Sequence, residues 1–261
     1  MALEPSSILL TDRVSVVTGA ANGIGRATAL ALARFGAHVA ICDRDVDNLD
    51  SLATEIQLMG RGVVAAELDV RDADAVDAFF GVVADQLGPI DVLVNNAGGG
   101  FRAAFVDVSP NGQDALIREN FVSVTHCIRA ALRSMPSPPM GGSIVNITSI
   151  EAHRAGPGFA VYSAMKAAVA SLTKTLALEL GDSLVRVNCV APDVIPTPGT
   201  GAEIPVKSPL PVPGHVDDVA AAVVYLAGDL ARFVTGTTIH VDGGNAAAGG
   251  WYRAADGSFT T

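Results

Sequence analysis

Short runs rich in β-branched residues alternate with longer stretches of helical periodicity along this chain, and that alternation restricts the fold more than any other feature. "RVSVVTG" at Arg13–Gly19 reads as a buried strand ending in a glycine turn, and Gly23–Gly36 as a helix stopped by its last glycine. His38–Asp43 reads as a second strand and Val46–Gly60 as a second helix. Further strands are expected at Gly62–Val70, Asp91–Gly98, Gly142–Ser149, Leu184–Pro192 and Thr237–Gly244. Helices are expected over about 74–87, 112–133, 160–181 and 216–228. The strands are near-continuous apolar runs, which implies a parallel sheet covered by helices on both faces. The expected fold class is α/β, a doubly wound parallel sheet of about seven strands. No linker divides residues 1–261, so one domain is expected. Two segments break the rhythm: Ser134–Ser143 is a Pro/Gly turn, and the proline-rich Pro192–Gly214 reads as a loop beyond a strand's carboxyl end, the edge where open α/β sheets bind ligands.

Composition narrows the function classes. The chain is 49% apolar and 17% charged, enough for a large core and unlike a disordered segment. A formal net charge of −10 argues against nucleic-acid partners and against anionic membrane surfaces. Cys42, Cys127 and Cys189 are widely spaced among apolar neighbours, as reduced buried thiols of a cytoplasmic protein would be. His38, His126, His153, His215 and His240 form no ligand spacing, so no metal is expected. "MALEPSSILLTDR" lacks the basic and apolar regions of a signal peptide, and no apolar run is suited to a membrane span.

Two places carry chemistry. After the first strand, "TGAANGIG" sets Gly19, Gly23 and Gly25 where a backbone can turn sharply beside a phosphate and the next helix can point its amides at the anion. Asp43, ending the second strand, is placed to accept hydrogen bonds from the adenosine ribose and to repel a 2′-phosphate. Asn22 leaves no basic residue in the middle of the turn, whereas Arg44 softens the preference. NAD is therefore expected over NADP. In "GFAVYSAMKAAVASLTKTLALEL" (Gly158–Leu180), Tyr162 and Lys166 stand one helical turn apart on one face. Taken alone, such a pair is most often a half-buried tyrosine beside a solvated lysine.

In order along the chain, "TGAANGIG", "LDV" with Asp69, "NNAG" at Asn95–Gly98, Asn120 in "RENFVSV", Ser149 in "NITS", "YSAMK", "NCVAP" and "VTGTTIHVDGG" resemble the short-chain dehydrogenase/reductase family over nearly the whole length. The resemblance implies a single Rossmann domain and hydride transfer between NAD(H) and a secondary alcohol or ketone. It implies Tyr162 as the proton-transfer residue and Lys166 as the charge that lowers its pKa and holds the nicotinamide ribose. Ser149 would donate to the substrate oxygen, and Asn120 would hold a water linking Lys166 to solvent. Gly19, Asn22, Gly23, Ile24 and Gly25 would cradle the cofactor. Asp69 and Val70 would meet the adenine edge, with Asn96, Ala97 and Gly98 along the ribose and phosphates. Ile195 and Thr197 would grip the carboxamide, but Asp193 replaces the family's glycine there, with strain if that position needs positive φ.

For the substrate, the residues point only to a class. Phe101, Phe105, Ile150, Ala155, Phe159, Val194 and Ile204 are expected to wall an apolar pocket, suited to a 3-hydroxyacyl thioester or a hydroxysteroid. Arg102, His153, Arg154 and Lys207 read as solvated loop charges, with recognition of a substrate anion as the alternative. The tail 245–261 carries the sole tryptophan, Trp251, and reads as an interface or pocket cover. The resemblance implies a homotetramer. A non-catalytic NAD sensor or scaffold is the competing class, supported only by Asp193. An NAD preference tilts the reaction towards oxidation.

Overall fold

The computed structural model describes residues 4–198, 208–254 and 257–260. Seven strands form one parallel sheet: β1 (Val14–Thr18), β2 (His38–Asp43), β3 (Val63–Glu67), β4 (Ile90–Asn95), β5 (Gly142–Ile147), β6 (Val185–Pro192) and β7 (Thr238–Val241). Their order is β3-β2-β1-β4-β5-β6-β7. The chain builds outward from β1 to β3, then crosses back to lay β4 on the other side of β1. The carboxyl ends of β1 and β4 thus flank the switch point, where two consecutive connections leave in opposite directions and open a crevice.

The apolar strand runs expected for a sheet covered on both faces divide by alternate residue between two cores. Val39 and Ile41 of β2 with Val92 and Val94 of β4 face one core, which holds Leu32, Leu49, Leu52, Ile56, Val219 and Val223. Those residues come from α1 (Gly23–Arg34), α2 (Val46–Leu58) and α7 (Val216–Ala227). Ala40, Cys42 and Leu93 face the other core, with Phe79, Phe80, Val124, Ile128 and Val169. These come from α3 (Ala73–Leu87), α5 (Ser123–Leu132) and α6 (Ala160–Glu179), with α4 (Pro110–Ile117) preceding α5. Each fully buried Leu or Ile contributes roughly 1.5–3 kcal/mol, so both faces are firmly held. Cys42, Cys127 and Cys189 are free and buried, and burial raises all three thiols, Cys127 to about 12.

Two elements differ from expectation. The helix expected over about 112–133 is interrupted: α4 starts earlier, where Ser109 Oγ caps Gly112 N at 3.1 Å and Pro110 takes the first turn, and Arg118–Val122 is a π-helical turn before α5. The tail, read as an interface or pocket cover with no element assigned to it, contains a short helix α8 (Asn245–Ala248) and an antiparallel pair, β8 (Tyr252–Arg253) and β9 (Phe259–Thr260). Among the described residues no helix is long and apolar enough to cross a membrane.

Candidate active site

The glycine turn is built for close approach. Gly19 has φ +63°, and a Cβ there would lie 2.8 Å from the Ala97 Cα. A Cβ on Gly25 would lie 2.1 Å from the Gly19 carbonyl oxygen. Asn96 fastens this turn to β4, its Nδ2 donating to the carbonyls of Thr18 (3.0 Å) and Gly19 (2.8 Å). Thr18 Oγ1 in turn accepts from Asn96 N and Ala97 N. Asn22 stands at the N-cap of α1 without capping it and donates to Asp45 Oδ2 instead. The first amides of α1, at Gly23 and Ile24, therefore border the cleft without a side-chain cap, the arrangement that suits a phosphate.

Beside this turn, Gly19, Asp43, Leu68, Asp69, Val70 and Ala97 line a hollow that also includes Asn96 and Gly98. Asp43 is held rigidly: Oδ2 accepts from Ala21 N (2.9 Å), and Oδ1 from Arg44 N (2.7 Å) and Asp45 N (3.2 Å). Two carboxylate oxygens offer about four acceptor positions and three are used, so about one remains for a ribose hydroxyl. The two arginines of the hollow are already paired, Arg71 with Asp69 and Arg44 with Glu119 at 3.7 Å. Hydrogen bonds from Arg71 hold the Asp69 carboxyl down to about 2.

A second cleft of about 590 Å³ runs from the same turn across the sheet end to Ser149, Tyr162 and Lys166. Ile195 and Thr197 also line it, Thr197 packing so close to the glycine turn that a Cβ on Gly23 would meet its Cγ2 at 3.1 Å. Helix α6 is what aligns Tyr162 and Lys166. Lys166 is buried, donates to Ile147 O at 3.0 Å, and its Nζ lies 5.6 Å from the centre of the Tyr162 ring. Burial lowers its pKa to about 8. Burial also raises the Tyr162 hydroxyl, the bond with Ser149 lowers it, and the charge of Glu151 raises it further. Asn120 is fully buried in the π-helical turn: Nδ2 donates to Leu116 O and Gly99 O, and Oδ1 accepts from Gly99 N. A methyl group on Gly98 would sit 2.9 Å from Asn120 Oδ1 and 3.1 Å from Lys166 Nζ, so the wider helical turn brings Asn120 to the lysine's end of the site.

The walls are more polar than expected. Of the apolar residues expected there, Phe159 and Val194 line the cleft, but Ile150 is fully buried away from it and Ile204 lies outside the described residues, as does Lys207. Phe101 and Phe105 are exposed. The carboxylates of Glu151 and Asp193 also line the cleft. Arg154, read from sequence as a solvated loop charge, bridges them at 3.2 Å and 3.3 Å. Asp193 does not adopt positive φ, a conformation confined among the described non-glycine residues to Asp12 and Leu184. The strain anticipated at that position is absent, and its carboxylate is held by Arg154 and by Asn245 Nδ2 at 2.6 Å. His153 and His240 form an edge-to-face ring pair with centres 4.7 Å apart. Among the described residues no cluster of three or more His, Cys, Asp or Glu could hold a metal.

The family model described as Enoyl-(Acyl carrier protein) reductase matches residues 19–246, from the glycine turn to α8. The chain belongs to the short-chain dehydrogenase/reductase family. It is 38% identical over 243 residues to a 3-oxoacyl-(acyl-carrier-protein) reductase of Thermotoga maritima, covering 90% of this chain and 98% of that one. It superposes on a 7 alpha-hydroxysteroid dehydrogenase complexed with NADH and 7-oxo glycochenodeoxycholic acid with TM-score 0.88 and 29% identity, over 94% of this chain and 98% of that chain. A gluconate 5-dehydrogenase from Burkholderia cenocepacia in complex with NADP and tartrate gives TM-score 0.87 and 32% identity, over 93% and 98%. The protein is an oxidoreductase that moves a hydride between a nicotinamide dinucleotide and a small alcohol or ketone. Nothing in these comparisons supports a non-catalytic reading.

Proposed function

We propose that the protein oxidises the carbinol carbon of a secondary alcohol with NAD as hydride acceptor. The observation that carries the reading is the convergence of Ser149, Tyr162 and Lys166 in one cleft with the uncapped start of α1. A bound NAD would supply the hydride acceptor and a positively charged nicotinamide ring. The chain's own residues do the rest. Gly19, Asn22, Gly23, Ile24 and Gly25 would hold its phosphates, Asn96, Ala97 and Gly98 would border them, and Ile195 and Thr197 would close the cleft, Thr197 beside Gly23. Lys166, buried behind the Tyr162 ring, stabilises phenolate against the upward pull of burial. Tyr162 takes the hydroxyl proton as the C–H pair leaves and the carbonyl forms; Ser149 supports the developing oxygen charge. Asn120 fixes Gly99 and the lysine's surroundings. The substrates to be screened first are 3-hydroxyacyl thioesters and hydroxysteroids, given the relatives' activities and the apolar part of the wall at Phe159 and Val194.

The preference for NAD rests on Asp43, and on Arg44 and Arg71 being occupied by Glu119 and Asp69. Asp43→Ala should raise kcat/KM for NADP relative to NAD by about tenfold or more, the loss of one charge repulsion of roughly 1.4 kcal/mol. Steady-state rates with each cofactor check this, and an unchanged ratio would remove Asp43 from cofactor choice.

The assembly proposed is a homotetramer in the cytoplasm. β7 is a short edge strand with half-exposed residues, and Gly236 packs its preceding turn against Ala177 of α6. Leu178 and Phe233, on those neighbouring segments, are 83% and 95% exposed, leaving an apolar surface suited to a second copy. Light scattering at micromolar concentration should give four times the 26.6 kDa chain mass; a monomer would contradict the assembly. Three buried free thiols support the compartment.

A further inference from the structure

We propose that Glu151 selects alcohols bearing a second hydroxyl on the carbon next to the carbinol, so that the substrates are vicinal diols and the products α-hydroxy ketones. The inference rests on the catalytic reading above but departs from its first-screened substrates, since neither a 3-hydroxyacyl thioester nor a singly hydroxylated steroid ring carries a hydroxyl beside its carbinol. Ser149 Oγ lies 2.6 Å from Glu151 Oε2, short enough to commit the only serine proton to the carboxylate. Glu151 N also donates to Ser149 Oγ at 3.2 Å, and the Tyr162 hydroxyl bonds the same side chain, so Ser149 stands between Glu151 and Tyr162. Glu151 is not drawn away from the cleft by this. It lines the cleft together with Tyr162 and Phe159, and its Oε1 is steadied by Arg154. Arg154 is steadied by Asp193, and Asp193 by Asn245 of α8, so the carboxylate is fixed from behind by a chain of charged and amide groups.

The consequence follows from counting protons. To support the carbinol oxygen, Ser149 must turn its proton from Glu151 to the substrate. A mono-alcohol offers nothing in return, and Glu151 Oε2 then faces the cleft without that donor. A substrate with a hydroxyl on the adjacent carbon supplies the missing proton, since its two oxygens sit side by side as Ser149 Oγ and Glu151 Oε2 do. A site with a polar group left unpaired by the wrong substrate discriminates more strongly than one that loses only apolar contact. Redox balance is unchanged: the carbinol hydrogen leaves with its electron pair to the nicotinamide, its hydroxyl proton goes to Tyr162, and the second hydroxyl is neither oxidised nor consumed. The remainder of the substrate meets Phe159 and Val194, which suits an aryl or alkyl group.

The test compares 1-phenylethane-1,2-diol with 1-phenylethanol, following NADH formation with wild type, Glu151→Ala and Glu151→Gln. Wild type should favour the diol in kcat/KM by about tenfold or more, as a charge-assisted hydrogen bond predicts. In Glu151→Ala the diol should lose, mainly through KM, while the mono-alcohol gains because Ser149 no longer gives its proton to a carboxylate. Glu151→Gln, which keeps a neutral acceptor, should retain part of the preference. Opposite movement of the two substrates cannot come from general damage to the fold. A wild-type ratio near one, or parallel losses for both alcohols in both variants, would overturn the role of Glu151 and leave the dehydrogenase reading standing. No NADH from the diol with a wild type that oxidises another secondary alcohol would also overturn the role of Glu151. No NADH from any secondary alcohol, while NADH itself still binds, would remove the catalytic reading and this inference with it.

Discussion

Replacing Tyr162 by phenylalanine should lower kcat for alcohol oxidation by about 10²–10⁴-fold, the range for a positioned general base, and leave NADH binding unchanged. The substitution keeps the ring that packs against Phe159, with centres 6.1 Å apart, and that stands 5.6 Å from Lys166 Nζ. Only the hydroxyl is lost, and with it the group proposed to receive the proton. The pH dependence carries a sign of its own. Burial and the Glu151 charge both oppose phenolate, so oxidation by the wild-type enzyme should rise with pH as Tyr162 ionises. Neutralising that charge in Glu151→Gln favours phenolate and should move the rising limb to lower pH. Stopped-flow rates and a fluorescence titration of NADH measure the Tyr162 prediction directly; a Tyr162→Phe enzyme with wild-type turnover would assign proton transfer elsewhere.

A second large effect is expected at the glycine turn. In Gly25→Ala the new methyl would meet the Gly19 carbonyl oxygen at 2.1 Å and Asn96 Nδ2 at 2.5 Å, and neither can yield without opening the turn. Overpacking of this kind costs about 1–3 kcal/mol. Asn96 would also lose its hold on Thr18 and Gly19, so NADH affinity should fall by at least about tenfold together with Tm, a fold-change of about 1.4 kcal/mol. Gly81→Ala provides the contrast. Nothing lies within 4 Å of a Cβ there, and alanine inside α3 should hold or raise Tm, since it is favoured over glycine by up to about 1 kcal/mol. Thermal melts of both variants, with and without NADH, separate these outcomes.

What was legible in the sequence is what depends on local spacing. The strand–helix alternation predicted the covered parallel sheet because apolar runs and 3.6-residue periodicity are properties of adjacent residues. Tyr162 and Lys166 were legible for the same reason, one turn apart on a helix that forms whole. The π-helical turn at Arg118–Val122 was not, because nothing in local spacing separates it from an ordinary helical turn. The Asn120 amide, within that turn, donates to Leu116 O and to Gly99 O, tying the wider turn to a segment distant in sequence. Nor could spacing join Glu151 and Arg154 to Asp193 and Asn245, which come from three separate parts of the chain and meet only after β5, β6 and α8 are in place. Asp193 looked like a misfit in a glycine position. In the fold it is an acceptor with two donors, and the backbone there needs no left-handed conformation.

Mass spectrometry of the NADH formed from NAD and a secondary alcohol deuterated at the carbinol carbon tests the central claim most directly. Direct hydride transfer in the cleft of Ser149, Tyr162 and Lys166 predicts one deuterium in each NADH molecule formed by the wild-type protein. It also predicts none above background with Tyr162→Phe over the same time. Unlabelled NADH from the labelled alcohol, or no NADH from any secondary alcohol offered to protein that binds NADH, would contradict it.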